Sequence, residues 1–487
     1  MEEKHIVAIE IGSSKLRGAL GVIERNGTLN VVAVQDEPLA ESVRYGKIRN
    51  VEEVASRIDA ICRKLQNHAS IAPRKIESVY VGIGGLSLGA TTKNTEYSVG
   101  GEIEVDASII ARLAEQAAKS PSDGREVLTV LPREYSIDNH ITLTPIGTIG
   151  SNVRATYSVI EAQPALRNAI ERVIPERLGL KINRYIVSPL AQAEAVLHDD
   201  EKQLGCVFVD FGAETMTVAI YKGGTLRYLA TLPIGSRNIT RDLMSLNILE
   251  DRAEQIKMKS GNAMPAQAGE PRMTTHDGLD LSEANKYVAA RASEIVANIL
   301  AQVDYCGLKL TDLPAGFIIV GGGANLRGFS ELLANKSHQK VRKGEILPSK
   351  VSVTDTSIQS ANVIDVVALL LDAAANNPVE CVEEIKRPAE PSHDALRTAA
   401  ADDRSNNRRR LDERNRRDEL DEAEGSRIGR YIDEYDDEDD EDMFTPKGRN
   451  RKPEKEPRES KTGRLFGKLR ERLANLIADD ENDPNDE

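Results

Sequence analysis

Apolar runs that end in an acid and a glycine turn occur twice along the chain, and the more complete copy lies in the middle. There an apolar run over 206–209 leads to Asp210, a turn containing Gly212 and Thr215, and a β-rich run over 216–221. Runs of this length bounded by turn residues predict two strands joined by a tight turn. Such a turn directs backbone N–H groups, a hydroxyl and a carboxylate to one point, which is typical of a phosphate cradle with a ligand for Mg²⁺.

The second copy lies near the N-terminus, where the apolar run 6–9 leads to Glu10, the turn 11–15 and a further apolar run over 16–23. One copy alone would be weak support, because acid-x-Gly turns are common in hairpins. Two copies of one design, roughly 200 residues apart, predict two related α/β halves that face each other across a cleft.

Hydrophobic spacing predicts most of the other elements. Apolar positions three to four residues apart predict helices over 51–67, 106–119 (with Asp106 as N-cap), 164–178, 189–197, 281–306 and 361–375. Short β-rich runs predict strands over 79–83, 127–137, 153–160 and 183–187. Residues 77–160 break the doubly wound pattern, so we expect a small α+β insertion there.

Two groups of glycines receive different interpretations. A buried strand opens into Gly321, Gly322 and Gly323 and then a helix over 328–335, which favours close approach of the backbone to a ligand, aided by the helix dipole. An earlier group lacks the spacing of a dinucleotide fingerprint. We interpret its members as turn residues: Gly82, Gly84, Gly85 and Gly89.

Beyond Pro378, charged runs replace apolar periodicity, with basic residues over 404–417 and acidic residues over 433–442. Too few apolar residues remain to offset the entropy of ordering, so we expect 379–461 to be a disordered linker. Periodicity returns over 462–478, where six apolar residues share about one third of the helix circumference. Arg470 and Arg472 flank that stripe, whose apolar members are Leu465, Phe466, Leu469, Leu473, Leu476 and Ile477.

A narrow apolar stripe bordered by arginines on a long tether predicts binding to an anionic membrane surface. The alternative is a helix that docks on the core or in the groove of a partner. The chain of 487 residues has a net charge of −14, no Trp and 4% aromatic residues, which argues against nucleic acid as a partner. Its four separated cysteines show no metal spacing and are typical of reduced cysteines in a cytoplasmic protein.

These motifs together resemble the actin, Hsp70 and sugar-kinase superfamily and, within it, the FtsA family of bacterial cell-division proteins. Residues 9–15 are similar to its first phosphate motif, 210–215 to its second and 319–324 to its adenosine motif. Residues 131–138 are similar to a segment of subdomain 1C, which this family carries as an extra subdomain. Residues 253–261 resemble the helix whose Glu and Lys approach the ribose.

The second motif departs from the family pattern, Asp-x-Gly-Gly-Gly-Thr, at Ala213 and Glu214. Glu214 adds a carboxylate near the phosphates and predicts weaker triphosphate binding, unless it points away or joins Mg²⁺.

The resemblance implies an α/β, actin-like two-lobed ATPase fold with an inserted α+β subdomain 1C, a disordered linker and a C-terminal amphipathic helix. The implied divisions are 1–76 (subdomain 1A, first part), 77–160 (1C, SHS2-like), 161–190 (1A continued), 191–236 (2A), 237–307 (2B), 308–357 (2A continued), 358–378 (closing helix of 1A), 379–461 (linker), 462–478 (membrane-targeting helix) and 479–487 (acidic tail).

The resemblance also implies ATP and Mg²⁺ between the lobes, with Glu10 and Asp210 holding the metal through water. The residues expected to bind the nucleotide are Gly12, Ser13, Ser14, Lys15, Gly212, Ala213, Glu214, Thr215, Gly235, Glu254, Lys257, Gly321, Gly322, Gly323 and Asn325. No catalytic residue is assigned, because turnover in this family is slow or absent.

The implied function is a protein that polymerises at the cytoplasmic face of the inner membrane and tethers the FtsZ ring to it at the septum. Its expected partners are further copies of itself, anionic lipid, the C-terminal peptide of FtsZ through 237–307, and later division proteins through subdomain 1C. The alternatives are a sugar-kinase-like enzyme and a pilus-assembly or shape-determining actin relative. The segment 131–138 and the C-terminal position of the amphipathic helix favour the division protein.

Overall fold

The structure, a computed structural model, describes residues 3–264, 274–353 and 363–383. The predicted linker beyond residue 383, the predicted membrane-targeting helix over 462–478 and the acidic tail lie outside the described residues.

Strands dominate the described part of the chain. In chain order they are β1 (Lys4–Ile11), β2 (Lys15–Ile23), β3 (Leu29–Pro38), β4 (Val43–Arg44), β5 (Lys47–Ile48), β6 (Lys75–Ile76), β7 (Ser78–Ile83), β8 (Gly89–Glu104), β9 (Glu126–Ile137), β10 (His140–Thr142), β11 (Ile149–Ala162), β12 (Lys181–Val187), β13 (Cys206–Phe211), β14 (Met216–Lys222), β15 (Thr225–Leu232), β16 (Phe317–Val320), β17 (Val341–Lys343), β18 (Ser352–Val353) and β19 (Val382–Glu383).

Helices connect and cover these strands. They are α1 (Val51–Gln66), α2 (Ala107–Ala118), α3 (Pro164–Glu171), α4 (Ser188–Val196), α5 (Asp199–Leu204), α6 (Ser236–Leu243), α7 (Glu250–Ser260), α8 (Leu281–Tyr305), α9 (Phe329–Ser337) and α10 (Ile364–Ala375). A π-helical segment (Arg172–Arg177) extends α3, and 3₁₀ segments occur at Met244–Leu246, Leu310–Asp312 and Gly322–Asn325.

Two sheets repeat one strand arrangement. In the 6-stranded sheet, β1, β2 and β3 form an antiparallel meander, β7 is parallel to β1, and β12 is parallel to β7. In the second sheet, β13, β14 and β15 form the meander, β16 is parallel to β13, and β17 is parallel to β16. The two halves predicted from the repeated acid and glycine pattern are therefore confirmed in the strand order.

Each sheet has its own core, and the two define two lobes. The central strands β1 and β13 are buried on both faces, as expected where helices cover a sheet with parallel neighbours. In the first lobe, α1 packs against β2 and β3, and α10 packs against β1 and α4. In the second lobe, α6, α7, α8 and α9 contribute to a separate apolar cluster with β13, β14 and β16.

The insertion is built from three long antiparallel strands, β8, β11 and β9, with α2 packed against them. The N-cap of α2 is Asp106, whose side chain accepts from the Ile109 amide, as predicted. Ile109 and Leu113 on α2 join a third apolar cluster with the strands. The sheet of the insertion joins that of the second lobe through one residue pair, Gly89 with Ala230.

Three predictions for this region are wrong. Strand β7, assigned to the insertion within 77–160, lies in the first sheet between β1 and β12. Gly82, interpreted as a turn residue, lies inside β7. Strand β8 was not predicted, because its residues are mostly Thr, Lys, Asn and Gly rather than apolar.

The predicted start of the linker at 379 is also wrong, since the fold continues to residue 383. Strand β19 pairs with β6, and Cys381 is buried. The helices predicted over 51–67, 189–197 and 281–306 are confirmed with ends within one residue. Among the described helices, none combines the length and hydropathy required to span a bilayer.

Candidate functional site

Two glycine turns of the same geometry follow the central strands of the two sheets. In the first, the Gly12 amide donates to the Lys15 carbonyl at 3.1 Å; in the second, the Gly212 amide donates to the Thr215 carbonyl at 3.0 Å. A Cβ on either glycine would lie 2.8 Å from that carbonyl oxygen, so both turns need glycine at this place. The two lobes thus present equivalent turns.

An acid precedes each turn, and its carboxylate lies against a glycine of the neighbouring parallel strand. A Cβ on Gly82 of β7 would lie 1.8 Å from Glu10 Oε2. A Cβ on Gly321, directly after β16, would lie 2.7 Å from Asp210 Oδ1. The duplication of the fold therefore extends to the immediate surroundings of both acids.

One helix holds both acids. The Ser188 hydroxyl donates to Glu10 Oε2 at 2.7 Å, and Gln192 Nε2 donates to Asp210 Oδ2 at 3.3 Å. Ser188 and Gln192 are buried and four residues apart on α4, so they lie on one face of that helix. Helix α4 therefore sets the spacing of the two carboxylates.

Glu10, Asp210 and Asp365, in the first turn of α10, form a group of negative charges. Burial and the charge of Asp365 raise the pKa of Glu10 to about 8. Burial and Asp365 likewise raise the pKa of Asp210 to about 6. The Arg17 guanidinium donates to Asp365 at 2.5 Å and to Asp36 at 2.7 Å, which offsets part of the charge. Enough negative charge remains to favour a cation.

The donor set fits Mg²⁺ bound together with a phosphorylated ligand. Within the described residues, no group of three or more His, Cys, Asp and Glu side chains could hold a metal ion. Mg²⁺ is commonly held by one or two carboxylates, with water and phosphate oxygens completing its shell. Glu10 and Asp210 supply that number, and their raised pKa values show carboxylates whose charge a cation would stabilise.

Both turns line one cleft of about 1380 Å³ between the lobes. Single small-molecule pockets usually measure about 300–1,000 Å³, so this cleft can hold a ligand that contacts both lobes. Most of the predicted residues line it: Glu10, Gly12, Ser13, Ser14, Lys15, Asp210, Gly212, Ala213, Thr215, Glu254, Lys257, Gly321, Gly322, Gly323 and Asn325.

Two predicted residues, Glu214 and Gly235, do not line the cleft. Glu214 is fully buried behind the second turn, where its carboxylate pairs with Arg44, Arg237 and Arg241. It is therefore turned away from the cleft, and the predicted repulsion of phosphates does not follow. Gly235 supports the turn from below, since a Cβ there would lie 2.3 Å from the Ala213 carbonyl oxygen.

The three glycines after β16 have different surroundings. Gly321 has a φ of +87° and lies against Asp210, whereas a Cβ on Gly323 would lie 2.5 Å from the Phe211 ring. Only Gly322 has open space around its Cβ position. Two of the three are thus required by contacts within the protein itself.

The helix dipole predicted at these glycines is not supplied by the helix expected over 328–335. That helix, α9, begins at Phe329, which is not among the lining residues. The 3₁₀ segment Gly322–Asn325 borders the cleft instead. Asn325 there accepts from Lys343 Nζ at 3.3 Å through its Oδ1 atom.

The predicted pair Glu254 and Lys257 is connected within the second lobe. Lys257 Nζ lies 2.7 Å from Glu254 Oε2 and donates to Thr240 Oγ1 at 3.0 Å and to the Ser236 carbonyl at 3.1 Å. Burial lowers the pKa of Lys257, and Glu254 opposes that effect. The ammonium is therefore fixed at the cleft wall.

Lys15 of the first turn is also committed to a partner. Its Nζ lies 3.1 Å from Asp36 Oδ2, and Asp36 is shared with Arg17. These two cations together hold the pKa of Asp36 below its ordinary value despite its partial burial.

Sequence reasoning missed Ser188, Gln192 and Asp365, and the short hairpin β4–β5 beside the first turn. Asp365 did leave a signal, because an acid interrupts an otherwise apolar helix. Ser188 and Gln192 belong to no motif and reach the acids only through the packing of α4.

The fold and the site define the class of the protein. A chain of the PilM-PilN type IV pilus biogenesis complex matches with a TM-score of 0.56 and 16% identity, over 76% of this chain and 98% of that one. A likeness at this identity shows the fold alone. The family model described as "SHS2 domain inserted in FTSA" matches residues 85–161. The molecule is therefore an actin-like protein with an inserted SHS2 domain.

Sequence similarity identifies the family. The model described as "Cell division protein FtsA" matches residues 207–366. Cell division protein FtsA of Porphyromonas gingivalis is 30% identical over 428 residues, which cover 83% of this chain and 88% of that protein. The Pseudomonas aeruginosa protein of the same name is 31% identical over 354 residues, covering 70% and 83%. The chain belongs to the FtsA family of cell division proteins, which confirms the resemblance.

Proposed function

We propose that the protein binds ATP with Mg²⁺ between its lobes, polymerises in the bound form, and attaches the FtsZ ring to the cytoplasmic membrane. The observation that carries the proposal is the pair of equivalent glycine turns lining one cleft, each preceded by an acid. Backbone amides in such turns bind phosphate oxygens, and nearby carboxylates bind the cation that accompanies them.

In this proposal each part of the cleft has a defined task. Gly12 to Lys15 and Gly212 to Thr215 bind the phosphates from opposite sides, and Glu10 and Asp210 hold Mg²⁺ through water. The 3₁₀ segment at Gly322–Asn325 faces the adenosine, and Glu254 with Lys257 lies beside the ribose. Mg²⁺ would neutralise phosphate charge next to the acids, whose surplus negative charge otherwise opposes a triphosphate.

The decisive measurement is the affinity for a fluorescent ATP analogue with and without Mg²⁺. Asp210→Asn should weaken Mg²⁺-dependent binding about tenfold or more, since one charge-assisted ligand is lost. Asp251→Asn is the matched control, because Asp251 also lines the cleft but lies on α7, away from both turns. The absence of Mg²⁺-dependent binding by the unaltered protein would contradict the proposal.

The protein is proposed to be a cytoskeletal element with at most slow ATPase activity. Support comes from its family, whose members are named as cell division proteins. Phosphate release should stay below about 1 per second per subunit, the lower end of ordinary enzyme turnover. Sedimentation in the presence of ATP should detect polymer. Transfer of phosphate to a sugar would instead favour the kinase alternative.

Attachment to the membrane is proposed to use the predicted helix over 462–478, with the protein at the septum on the cytoplasmic face of the inner membrane. Its support is the apolar stripe bordered by Arg470 and Arg472. Full-length protein should sediment with anionic vesicles, and a variant ending at Lys461 should remain in the supernatant. Equal sedimentation of the two would remove this part of the proposal.

The proposed contact with the C-terminal peptide of FtsZ lies within 237–307. Support comes from two large apolar side chains on the surface there, Leu249 and Met258, which are 81% and 68% exposed. Leu249→Asp should weaken binding of the FtsZ peptide in a fluorescence anisotropy titration. Leu204→Asp serves as the control, because Leu204 is also exposed but lies outside this region.

Contacts with other division proteins are proposed to involve the insertion. The apolar side chains exposed there support this assignment, and they are Ile141, Leu143, Ile146 and Ile149.

A further inference from the structure

A fully buried carboxylate lies where the two lobes meet. Glu214 Oε1 lies 3.2 Å from Arg44 Nε, 3.2 Å from Arg237 Nη1 and 3.0 Å from Arg241 Nη2. Its Oε2 atom accepts a hydrogen bond from the Tyr45 amide at 2.8 Å. A charge removed from water requires such partners, so all four are part of one ionic cluster.

The four donors come from both lobes. Arg237 and Arg241 belong to α6, in the same lobe as Glu214, whereas Arg44 and Tyr45 belong to the hairpin β4–β5 of the first lobe. We call residues 43–48 the seam hairpin. Arg237 also donates to the Ala40 carbonyl at 3.3 Å, which adds a second link across the seam.

The tip of the seam hairpin is fixed in place. Tyr45 and Gly46 have φ values of 52° and 76°, as in the two-residue turns that close tight hairpins. The Leu86 amide donates to the Tyr45 carbonyl at 3.1 Å. A Cβ on Gly46 would lie 2.4 Å from the Gly85 Cα, so the tip packs directly on the backbone of the first lobe.

The seam hairpin also contacts the first glycine turn. The Gly46 amide donates to Ser13 Oγ at 3.3 Å. On the opposite side, the Arg237 amide donates to the carbonyl of Ala213, within the second turn, at 2.7 Å. A continuous chain of contacts therefore connects the two turns through Gly46, Tyr45 and Glu214.

We propose that Glu214 is a clasp that positions the two glycine turns relative to each other and slows the opening of the cleft. Opening would separate the carboxylate from Arg44 and Tyr45 and leave it with Arg237 and Arg241 alone. Loss of partners in a low-dielectric site strongly disfavours that state. The clasp acts in the ligand-free protein, and only its effect on ligand exchange rests on the proposed nucleotide binding.

Arg44→Gln and Arg241→Gln form a matched pair for the test. Each removes one guanidinium from the same Oε1 atom, and the two side chains are similarly exposed at 27% and 32%, but only Arg44 crosses the seam. In the ligand-free full-length protein, Arg44→Gln should speed hydrogen exchange over 12–15 and 40–48, and Arg241→Gln should leave it unchanged. Release of a bound fluorescent ATP analogue should accelerate on the order of 5- to 150-fold in Arg44→Gln.

Equal effects of the two variants, or no effect of Arg44→Gln, would overturn the clasp and reduce Glu214 to local packing within the second lobe. Glu214→Gln should reproduce Arg44→Gln, and if it fails to fold, the matched pair still decides. Failure of the unaltered protein to bind the analogue would contradict the proposed function, while hydrogen exchange would still test the clasp.

Discussion

At the scale of single residues, the site depends on an acid that shares space with a glycine of the next strand. Glu10 meets Gly82 and Asp210 meets Gly321, because a Cβ at either glycine would collide with a carboxylate oxygen. The two glycines differ in backbone: Gly321 has a φ of +87°, whereas Gly82 lies in a regular strand. Gly82 therefore separates the effect of space from the effect of backbone strain.

Gly82→Ala should displace the Glu10 carboxylate and destabilise the protein by about 1–3 kcal/mol, the usual cost of overpacking. Gly84→Ala is the control, because a Cβ on Gly84 would only touch Ser188 Cβ at 4.0 Å. We expect the control to change the free energy of unfolding by less than about 0.5 kcal/mol. Urea denaturation measures both, and equal losses would show that the Glu10 carboxylate does not require this space.

The raised pKa of Glu10 predicts a pH dependence of stability. Its pKa is about 8 in the folded protein and 4.5 ordinarily, so the folded state retains a proton that the unfolded state loses above pH 4.5. Stability should therefore fall as pH rises from about 5 to about 8. Because Glu10 faces the open cleft, we expect a loss of only about 1–3 kcal/mol.

Thermal unfolding at several pH values, without nucleotide or Mg²⁺, measures this dependence. Glu10→Gln should remove most of the decline, and the part that remains should come from Asp210, whose pKa is raised in the same direction. An identical decline in Glu10→Gln and the unaltered protein would contradict the assignment to Glu10.

At the scale of elements, the short strand β19 attaches the end of the described chain to the first lobe. It pairs with β6, and the Cys381 amide donates to the His5 carbonyl at 2.8 Å. The Val379 amide donates to the Tyr80 hydroxyl at 2.8 Å. The predicted tether therefore starts later than hydrophobic patterning indicated, from a fixed point beside β1 and β6.

Val382→Asp should detach β19, because it would bury a charge where an apolar side chain now packs. Val382 is 7% exposed and Val379 is 51% exposed, so Val379→Asp provides a control three residues away. We expect Val382→Asp to lower the free energy of unfolding by about 2–4 kcal/mol and the control by less than about 0.5 kcal/mol. If urea denaturation gave equal values, β19 would not contribute to stability.

Elements with strong apolar periodicity could be predicted from the sequence, and elements with polar residues could not. Strand β8 pairs along its length with β11, yet its side chains alternate between partly and fully exposed, so the strand carries few apolar residues. The seam hairpin has strands of only two residues, too short for any periodic signal. The surroundings of Glu214 were also hidden, because its partner Tyr45 lies 169 residues away.

At the scale of the whole molecule, the duplication explains why the site could be predicted before its supports. Each half repeats a meander, a parallel neighbour, an acid and a glycine turn, so the sequence shows the same motif twice. The parts that join the halves occur once: α4, with a residue for each acid, and the cluster around Glu214. Features that occur once carry no internal repeat and become visible only in three dimensions.

The proposed polymer and the predicted membrane helix should depend on each other. One amphipathic helix of this size binds an anionic surface only marginally, whereas many helices on one polymer raise the effective concentration and the avidity. With ATP and Mg²⁺, sedimentation of full-length protein with anionic vesicles should therefore rise steeply with protein concentration. Asp210→Asn, which should weaken ATP binding, should sediment weakly and in proportion to concentration. Leu473→Glu should abolish sedimentation while leaving ATP binding intact, and steep sedimentation of Asp210→Asn without bound nucleotide would show that attachment does not require the polymer.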